Sequence, residues 1–273
     1  MKTEFYPDMP NDIYHSSEGM SKSKLDMSAI DPQRVEWANK CPQDEAKLKT
    51  LDFGDAMHAV CLEPHRLKSD FVVMPDINLR TNSGKAEKAE FLADNAGKSI
   101  LTFDEKRKLD LMFESVMAHP EARMLIEADG IAEGSWFWTD DNTDLLCKCR
   151  PDKLIENLLV DVKTTPDLKK FHYAVDDYRY YVQDPWYCDG LIDCGVDGAN
   201  MKFLVIQKTI ELGRYPVIVV HLPQEAIDYG RATYQRDLDN YKRFLDSGAD
   251  PIELPMSYRF IERAMDATTD ILL

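Results

Sequence analysis

Asp152, Asp161 and Lys163 are the residues of this 273-residue chain whose types and spacing could do chemistry. They lie in CKCRPDKLIENLLVDVKTT, Cys147–Thr165. Alternating and β-branched residues around the polar corner Glu156-Asn157 predict two strands, Leu145–Ile155 and Leu158–Thr164. Side chains alternate faces along a strand, so Asp161 and Lys163 point one way while Val160 and Val162 point into the core. A hairpin at the corner returns Asp152 to the neighbourhood of Asp161. Two carboxylates and an ammonium then converge on an otherwise apolar sheet, a costly arrangement unless a cation sits between the acids. A structural salt bridge is the other reading of the same three residues.

The bare pattern carries little weight in an acid-rich chain. [DE]xK recurs at Glu45–Lys47, Asp104–Lys106 and Asp167–Lys169, and Pro-Asp at Pro7-Asp8, Pro75-Asp76 and Pro166-Asp167. Asp104 and Lys106 fall in the first turn of a capped helix, where acids are ordinary dipole partners. Only Asp152 with Asp161 and Lys163 places both elements on adjacent apolar strands.

Other side chains could join them. His58 sits on an apolar helix, as a packed core histidine or as a ligand. Gln183 and Tyr187 lie four apart and share a helix face. They are an exposed polar pair, or they orient a phosphate or the lysine. Glu133 lies on the preceding strand with Ser135 and Phe137, as an edge-strand acid or a site residue. The six cysteines include no CxxC, so buried free thiols are expected rather than an iron–sulfur cluster.

The elements that must position these residues are legible in outline. The opening segment to Asn11 reads as extended. Ser21 or Ser23 caps a helix to Ile30 that Asp31-Pro32 ends, and Gln33–Asn39 forms another. Leu51–Leu62 has helical spacing, closed by Glu63-Pro64. Phe71–Met74 is a strand, Asn78–Lys85 a polar, basic, mobile loop, Ala86–Asn95 a helix and Ser99–Leu101 a strand. Thr102 and Glu105 make a capping box for a helix to Ala118, followed by a short helical piece at Pro120–Ala128. Strands at Ile131–Thr139 and in the opening stretch follow as an antiparallel meander. Leu168–Tyr180 is helical, and a helix from about Gln183 to Cys194 takes Pro185 in its first turn. Lys202–Lys208 and Pro216–His221 are strands, Gln224–Leu245 is a long helix, and the tail Pro251–Leu273 is mostly helical. The order predicts a mixed α/β (α+β) fold, a central, mostly antiparallel sheet flanked by helices. A single domain over residues 1–273 is expected: 1–130 mainly helical, 131–222 carrying the catalytic sheet, and 223–273 the C-terminal helices.

Composition narrows the function class. A 44% apolar fraction is that of a globular chain with a real core. No run of about 18 apolar residues offers a membrane span, and the N-terminus lacks an apolar signal core. A cytoplasmic protein with reduced thiols is expected. The net charge of −16 argues against a protein that coats nucleic acid, though not against an enzyme gripping it in one basic groove.

Taken together, SKSKLD (Ser21–Asp26), FGDAMHAVCLEP (Phe53–Pro64), GKAEKAEFLA (Gly84–Ala93), the Asp152/Asp161/Lys163 stretch and YRYYVQDPWYCDG (Tyr178–Gly190) resemble the RecE-type exonuclease family (exodeoxyribonuclease VIII). That family is a RecB-like branch of the PD-(D/E)xK nucleases. The resemblance implies a restriction-endonuclease-like core and a Mg²⁺-dependent exodeoxyribonuclease, with Mn²⁺ able to substitute. Its substrate would be linear double-stranded DNA, degraded 5′→3′ in phage- or prophage-type recombination. The family's metal-binding histidine maps on His58, its two metal-binding acids on Asp152 and Asp161, and its lysine on Lys163. The Gln-xxx-Tyr pair of the branch maps on Gln183 and Tyr187, with Pro185 standing where a small residue is common. DNA backbone contacts are expected from Arg80, Lys85, Arg150, Lys169 and Lys170. A ring-shaped homo-oligomer such as a tetramer and a RecT-like single-strand annealing partner are also implied. The alternatives are a non-catalytic DNA-end-binding scaffold and a single-strand-specific nuclease of the same fold.

Overall fold

Strand β8 (Leu158–Thr165) has covered faces on both sides, and that decides where the helices lie. Val160 and Val162 are fully buried, with Leu204 and Ile206, against Met57 and Val60 of one helix and Met112 and Val116 of another. Leu159 faces the other way, with Phe203 and Val205, onto Val182, Trp186 and Leu238. The computed structural model describes residues 3–40 and 53–248. The tail expected to be helical, Pro251–Leu273, lies outside them.

The described elements are β1 (Thr3–Tyr6), α1 (Asn11–Ser16), α2 (Lys22–Ile30), α3 (Gln33–Lys40), α4 (Phe53–Leu62), α5 (Pro64–Asp70), β2 (Phe71–Val73), α6 (Asn82–Asp94) and β3 (Ser99–Leu101). Then come α7 (Phe103–Ala118), α8 (Pro120–Glu127), β4 (Ile131–Ala132), β5 (Ser135–Thr139), β6 (Leu146–Cys149), β7 (Lys153–Ile155) and β8. A 3₁₀ turn (Leu168–Lys170) leads to α9 (Phe171–Asp177), α10 (Tyr180–Asp193), β9 (Asn200–Gln207), β10 (Val217–Val220) and α11 (Gln224–Ser247). The main sheet runs β10-β9-β8-β7-β4, a smaller one runs β1-β5-β6, and β2 pairs with β3 alone. The mixed fold with helices around a mostly antiparallel sheet is as the sequence implied. No helix among the described residues is long and apolar enough to cross a membrane.

The meander fails at one joint. β8 and β9 are parallel, because α9 and α10 lie between them and form a crossover that returns the chain to the same end of the sheet. Two predicted strands also differ. Ile131–Thr139 and Leu145–Ile155 each break in the middle, and the halves belong to different sheets: β4 and β7 to the main one, β5 and β6 to the smaller. The breaks lie at Glu133-Gly134, where Glu133 has a φ of 52°, and at Arg150–Asp152, where Pro151 has no N–H for a ladder. They lie side by side, Glu133 N–H donating to the Asp152 carbonyl at 3.0 Å.

Two helical expectations also need correction, and one helix was not expected: Glu63-Pro64 does close α4 at Leu62, but a further helix follows. The stretch Asn78–Lys85 is a loop only to Thr81, whose hydroxyl accepts from Gly84 N–H and starts α6 four residues early. Pro64 opens α5 immediately after α4, using the first-turn position a proline tolerates. Pro185 sits well inside α10, which starts at Tyr180 rather than near Gln183. It has no N–H to give the Tyr181 carbonyl. Gly230 of α11 packs directly on that carbonyl, so close that a Cβ there would lie 1.7 Å from it.

Candidate active site

The paired strand breaks leave backbone groups of β8 without a strand partner, and side chains take them. Val162 N–H donates to Asp152 Oδ2 at 2.6 Å, where β7 has ended. The Val162 carbonyl lies 2.6 Å from His58 Nε2. The other ring nitrogen, Nδ1, stands 3.3 Å from the same Asp152 oxygen. His58 reaches the sheet because Ala56, Met57, Ala59 and Val60 bury α4 against it and leave His58 at the helix flank. Glu133, turned by its positive φ, completes the group. One ligand atom each from His58, Glu133 and Asp152 lies within 4.8 Å of the others.

These acids repel one another. Burial and the neighbouring charge of Asp152 and Glu63 push the Glu133 carboxyl well above the usual range. Burial also raises that of Asp152, which His58 partly offsets and Asp161 reinforces. Burial disfavours the His58 imidazolium, but Asp152 and Asp161 outweigh it and its pKa is raised. One imidazole and two crowded carboxylates are a donor set that fits a divalent cation.

Asp161 belongs to a different group. It is 1% exposed, in mid-strand, and takes Gln183 Nε2 on Oδ1 at 2.5 Å. Lys163 Nζ lies 2.6 Å from Oδ2 as an ion pair. No aligned N–H or O–H reaches that oxygen, which leaves it with unused acceptor capacity. Burial works against the Lys163 ammonium, but Asp161 and Asp152 more than reverse this and hold it protonated. Its Nζ also sits over the Tyr180 ring, 4.8 Å from the centroid.

A cleft of about 610 Å³ opens on all seven of these residues: His58, Glu133, Asp152, Asp161, Lys163, Gln183 and Tyr187. Gln183 and Tyr187 share the α10 face that meets it, as their spacing predicted. Burial pushes the Tyr187 phenol far up, so it keeps its proton. The structure thus brings together every residue singled out for the site. It puts Glu133 with His58 and Asp152, where Asp161 was expected, and Asp161 with Lys163 and Gln183.

The expected DNA contacts fare differently. Arg150 lines the cleft, but its guanidinium is tied to Ser135, Asn11 and the Met9 carbonyl and lies over Tyr14. Arg80, Lys85, Lys169 and Lys170 are exposed and none lines the cleft; Lys169 instead pairs with Glu211 at 3.6 Å. The cations that do line it include Lys22, Lys24, Arg66 and Lys148, which were not singled out. Lys148 is buried, with Tyr14 and Ser17 carbonyls accepting from Nζ, and burial pushes its pKa down to about 8. Only the SKSK run of α2 carried a signal for any of them.

No curated protein matches the chain in sequence. One solved structure is similar in fold, and two more align in part. A candidate exonuclease from Eubacterium rectale is 11% identical with a TM-score of 0.56, over 89% of this chain and 88% of that one. An alkaline exonuclease from Laribacter hongkongensis (13% identity, TM-score 0.31, 70% and 96% covered) and a phage-related exonuclease from Haemophilus somnus (12%, 0.29, 69% and 95%) align more loosely. The family described as a PDDEXK-like domain of unknown function, DUF3799, matches residues 29–254, and the chain belongs to it.

Proposed function

We propose that this protein is a divalent-metal-dependent exodeoxyribonuclease that degrades linear double-stranded DNA 5′→3′, with Mg²⁺ as its ion and Mn²⁺ able to substitute. The observation that carries this reading is the convergence of His58, Glu133 and Asp152 beside the Asp161–Lys163 pair, all lining one cleft. His58, Glu133 and Asp152 would hold the ion, with Asp161 beside them in the lining of the same cleft. A bound divalent ion supplies Lewis-acid polarisation of the phosphate and a more acidic water.

The chain's own residues account for the rest. Lys163, kept charged by its two acids, sits where it can orient the attacking water and neutralise charge developing on the phosphate. Gln183 fixes the Asp161 carboxylate through Oδ1, and Oδ2 holds Lys163 in place. The Tyr187 hydroxyl, held protonated, is a donor for a phosphate oxygen. Six lysines and arginines line the cleft (Lys22, Lys24, Arg66, Lys148, Arg150, Lys163) against four carboxylates (Asp55, Glu133, Asp152, Asp161). In the whole chain 49 acids outnumber 33 bases, so the cleft reverses the general balance where a polyanion would enter.

Exonuclease action on duplex ends, a ring-shaped homo-oligomer, a RecT-like annealing partner and a cytoplasmic location rest on the order of motifs from Ser21 to Gly190. The test is digestion of an end-labelled linear duplex beside a closed circle, in Mg²⁺, Mn²⁺ and EDTA. Ordered loss of label from the 5′ ends of the linear form, in metal only, is expected. Equal cutting of the circle would make the enzyme an endonuclease. Binding without release of nucleotides in either metal would make it an end-binding scaffold.

A further inference from the structure

Four aromatic rings cluster beside the candidate catalytic lysine, and one of them reaches the protein surface. Lys163 Nζ lies over Tyr180. Tyr180 is held on three sides, by Phe203 (5.7 Å between centroids, 29° between planes), Phe171 (6.0 Å, 31°) and Tyr178 (5.7 Å, 25°). Phe203 and Phe171 are core residues. Tyr178, the outermost ring, is 62% exposed although it stacks on Tyr180. Its backbone is fixed too. The Tyr178 carbonyl accepts from Lys22 Nζ, and the next residue, Arg179, in the left-handed conformation at 52°, is paired with Asp26 and Asp237. Lys22 itself lines the cleft.

A large exposed ring on a mobile loop would be unremarkable. Tyr178 differs in that its orientation is set before anything binds, so a flat ligand landing on its open side loses little freedom of the protein. Tyr178 does not line the cleft itself, but its carbonyl meets Lys22, which does, and one ring separates it from the lysine at the reacting centre. A flat group with an anion attached at a short distance matches that geometry, and a nucleobase with its phosphate is such a group.

We propose that Tyr178 is a stacking platform for one unpaired nucleobase of the strand that enters the cleft, its backbone held by Lys22, which is itself paired with Asp26 at 2.7 Å. The proposal rests on the nuclease reading above and deepens it. A base inside a duplex has both faces covered by its neighbours, so the platform engages a nucleotide that has already left the helix. Stacking has no preference among the four bases, as an enzyme that digests any sequence requires.

The test uses the full chain in EDTA, with an oligonucleotide carrying 2-aminopurine at its unpaired end and a control carrying it inside the duplex. Wild type should quench the terminal probe on binding and leave the internal one unchanged. Tyr178→Phe should behave as wild type. Tyr178→Leu, which still covers Tyr180 but has no π face, should lose the quench and bind about ten-fold more weakly. A thermal midpoint within a few degrees of wild type would show that the loss is not one of folding. Quenching and affinity unchanged in Tyr178→Leu would overturn the platform, as would equal losses in Tyr178→Phe. Should wild type bind no oligonucleotide at all, the nuclease reading fails first and takes the platform with it. Binding by wild type without any quench would sink the platform alone.

Discussion

The two halves of the site solve the same problem in opposite ways. Asp161 and Lys163 stand on an unbroken strand, and there an acid has a cation and an amide beside it. Asp152 and Glu133 stand at two strand breaks, and there two acids crowd together around one histidine. The first half is close to electrically complete. The second is not, and burial raises both of its carboxyls. A half complete in the folded chain serves to position and neutralise. A half left incomplete is where an external cation gains most, because binding it relieves repulsion that folding has already imposed.

The largest effect that separates them is on stability without metal. Lys163→Met leaves Asp161 buried with a single amide partner and should cost about 3 kcal/mol. Asp152→Asn keeps an acceptor for Val162 N–H while removing one of two repelling charges, so the metal-free chain should be unchanged or slightly more stable. Both should lower cleavage by about a thousand-fold or more, since each removes a group acting on the phosphate or its ion. Urea melts in EDTA with parallel single-turnover assays decide it. Equal destabilisation by the two substitutions would erase the distinction between the halves.

Next in size is the response to the ion. At about a hundred times its dissociation constant a bound ion stabilises the fold by about 2.7 kcal/mol. Mg²⁺ or Mn²⁺ should therefore raise the melting temperature of wild type and of Gln183→Ala. It should do little for Glu133→Gln or Asp152→Asn. A full metal response in Glu133→Gln would remove Glu133 from the donor set and return the place to Asp161, as the sequence had suggested.

That difference marks what a sequence can and cannot convey. The alternation Val160, Asp161, Val162, Lys163 was readable because a strand's period is local. So was the shared face of Gln183 and Tyr187, and so was the capping box at Thr102. The strand breaks were marked only by Gly134 and Pro151, which an edge strand or a bulge also tolerates. What breaks those strands is the demand that one hairpin belong to two sheets, and that is set by β1, β8 and β9. Pro185 was placed in a first turn since a helix interior penalises it by itself. Gly230, 45 residues on, is what packs on the carbonyl it leaves. Lys22 and Arg66 reach the cleft from helices whose sequences say nothing of where they point. Where a cation stands relative to the cleft is thus the least legible layer, and four of the five residues expected to contact DNA lie outside it.

The smallest effect concerns an acid with neither solution. Asp184, next to Gln183 on α10, is 2% exposed and turned toward a separate cleft lined by Asp189, Lys202 and Arg231. Its Oδ2 has no hydrogen-bond partner among the described residues, and Oδ1 meets only the Cys188 thiol at 3.6 Å. Burial pushes its pKa up to about 7, Asp189 adding to the rise. Between about pH 4 and 7 the folded chain then keeps a proton that the unfolded chain has released. The stability Asp184 contributes is whole below that window and falls as pH rises through it. Asp184→Asn holds the same shape without the titration, so its stability should exceed that of wild type at pH 8 and approach it at pH 4. Cleavage should change little, because Gln183 and not Asp184 meets the site. The measurement is a pair of urea melts across that range in EDTA. If the difference between variant and wild type stays constant with pH, Asp184 is ionised in the fold and some partner neutralises it, which would move it into the class of Asp161.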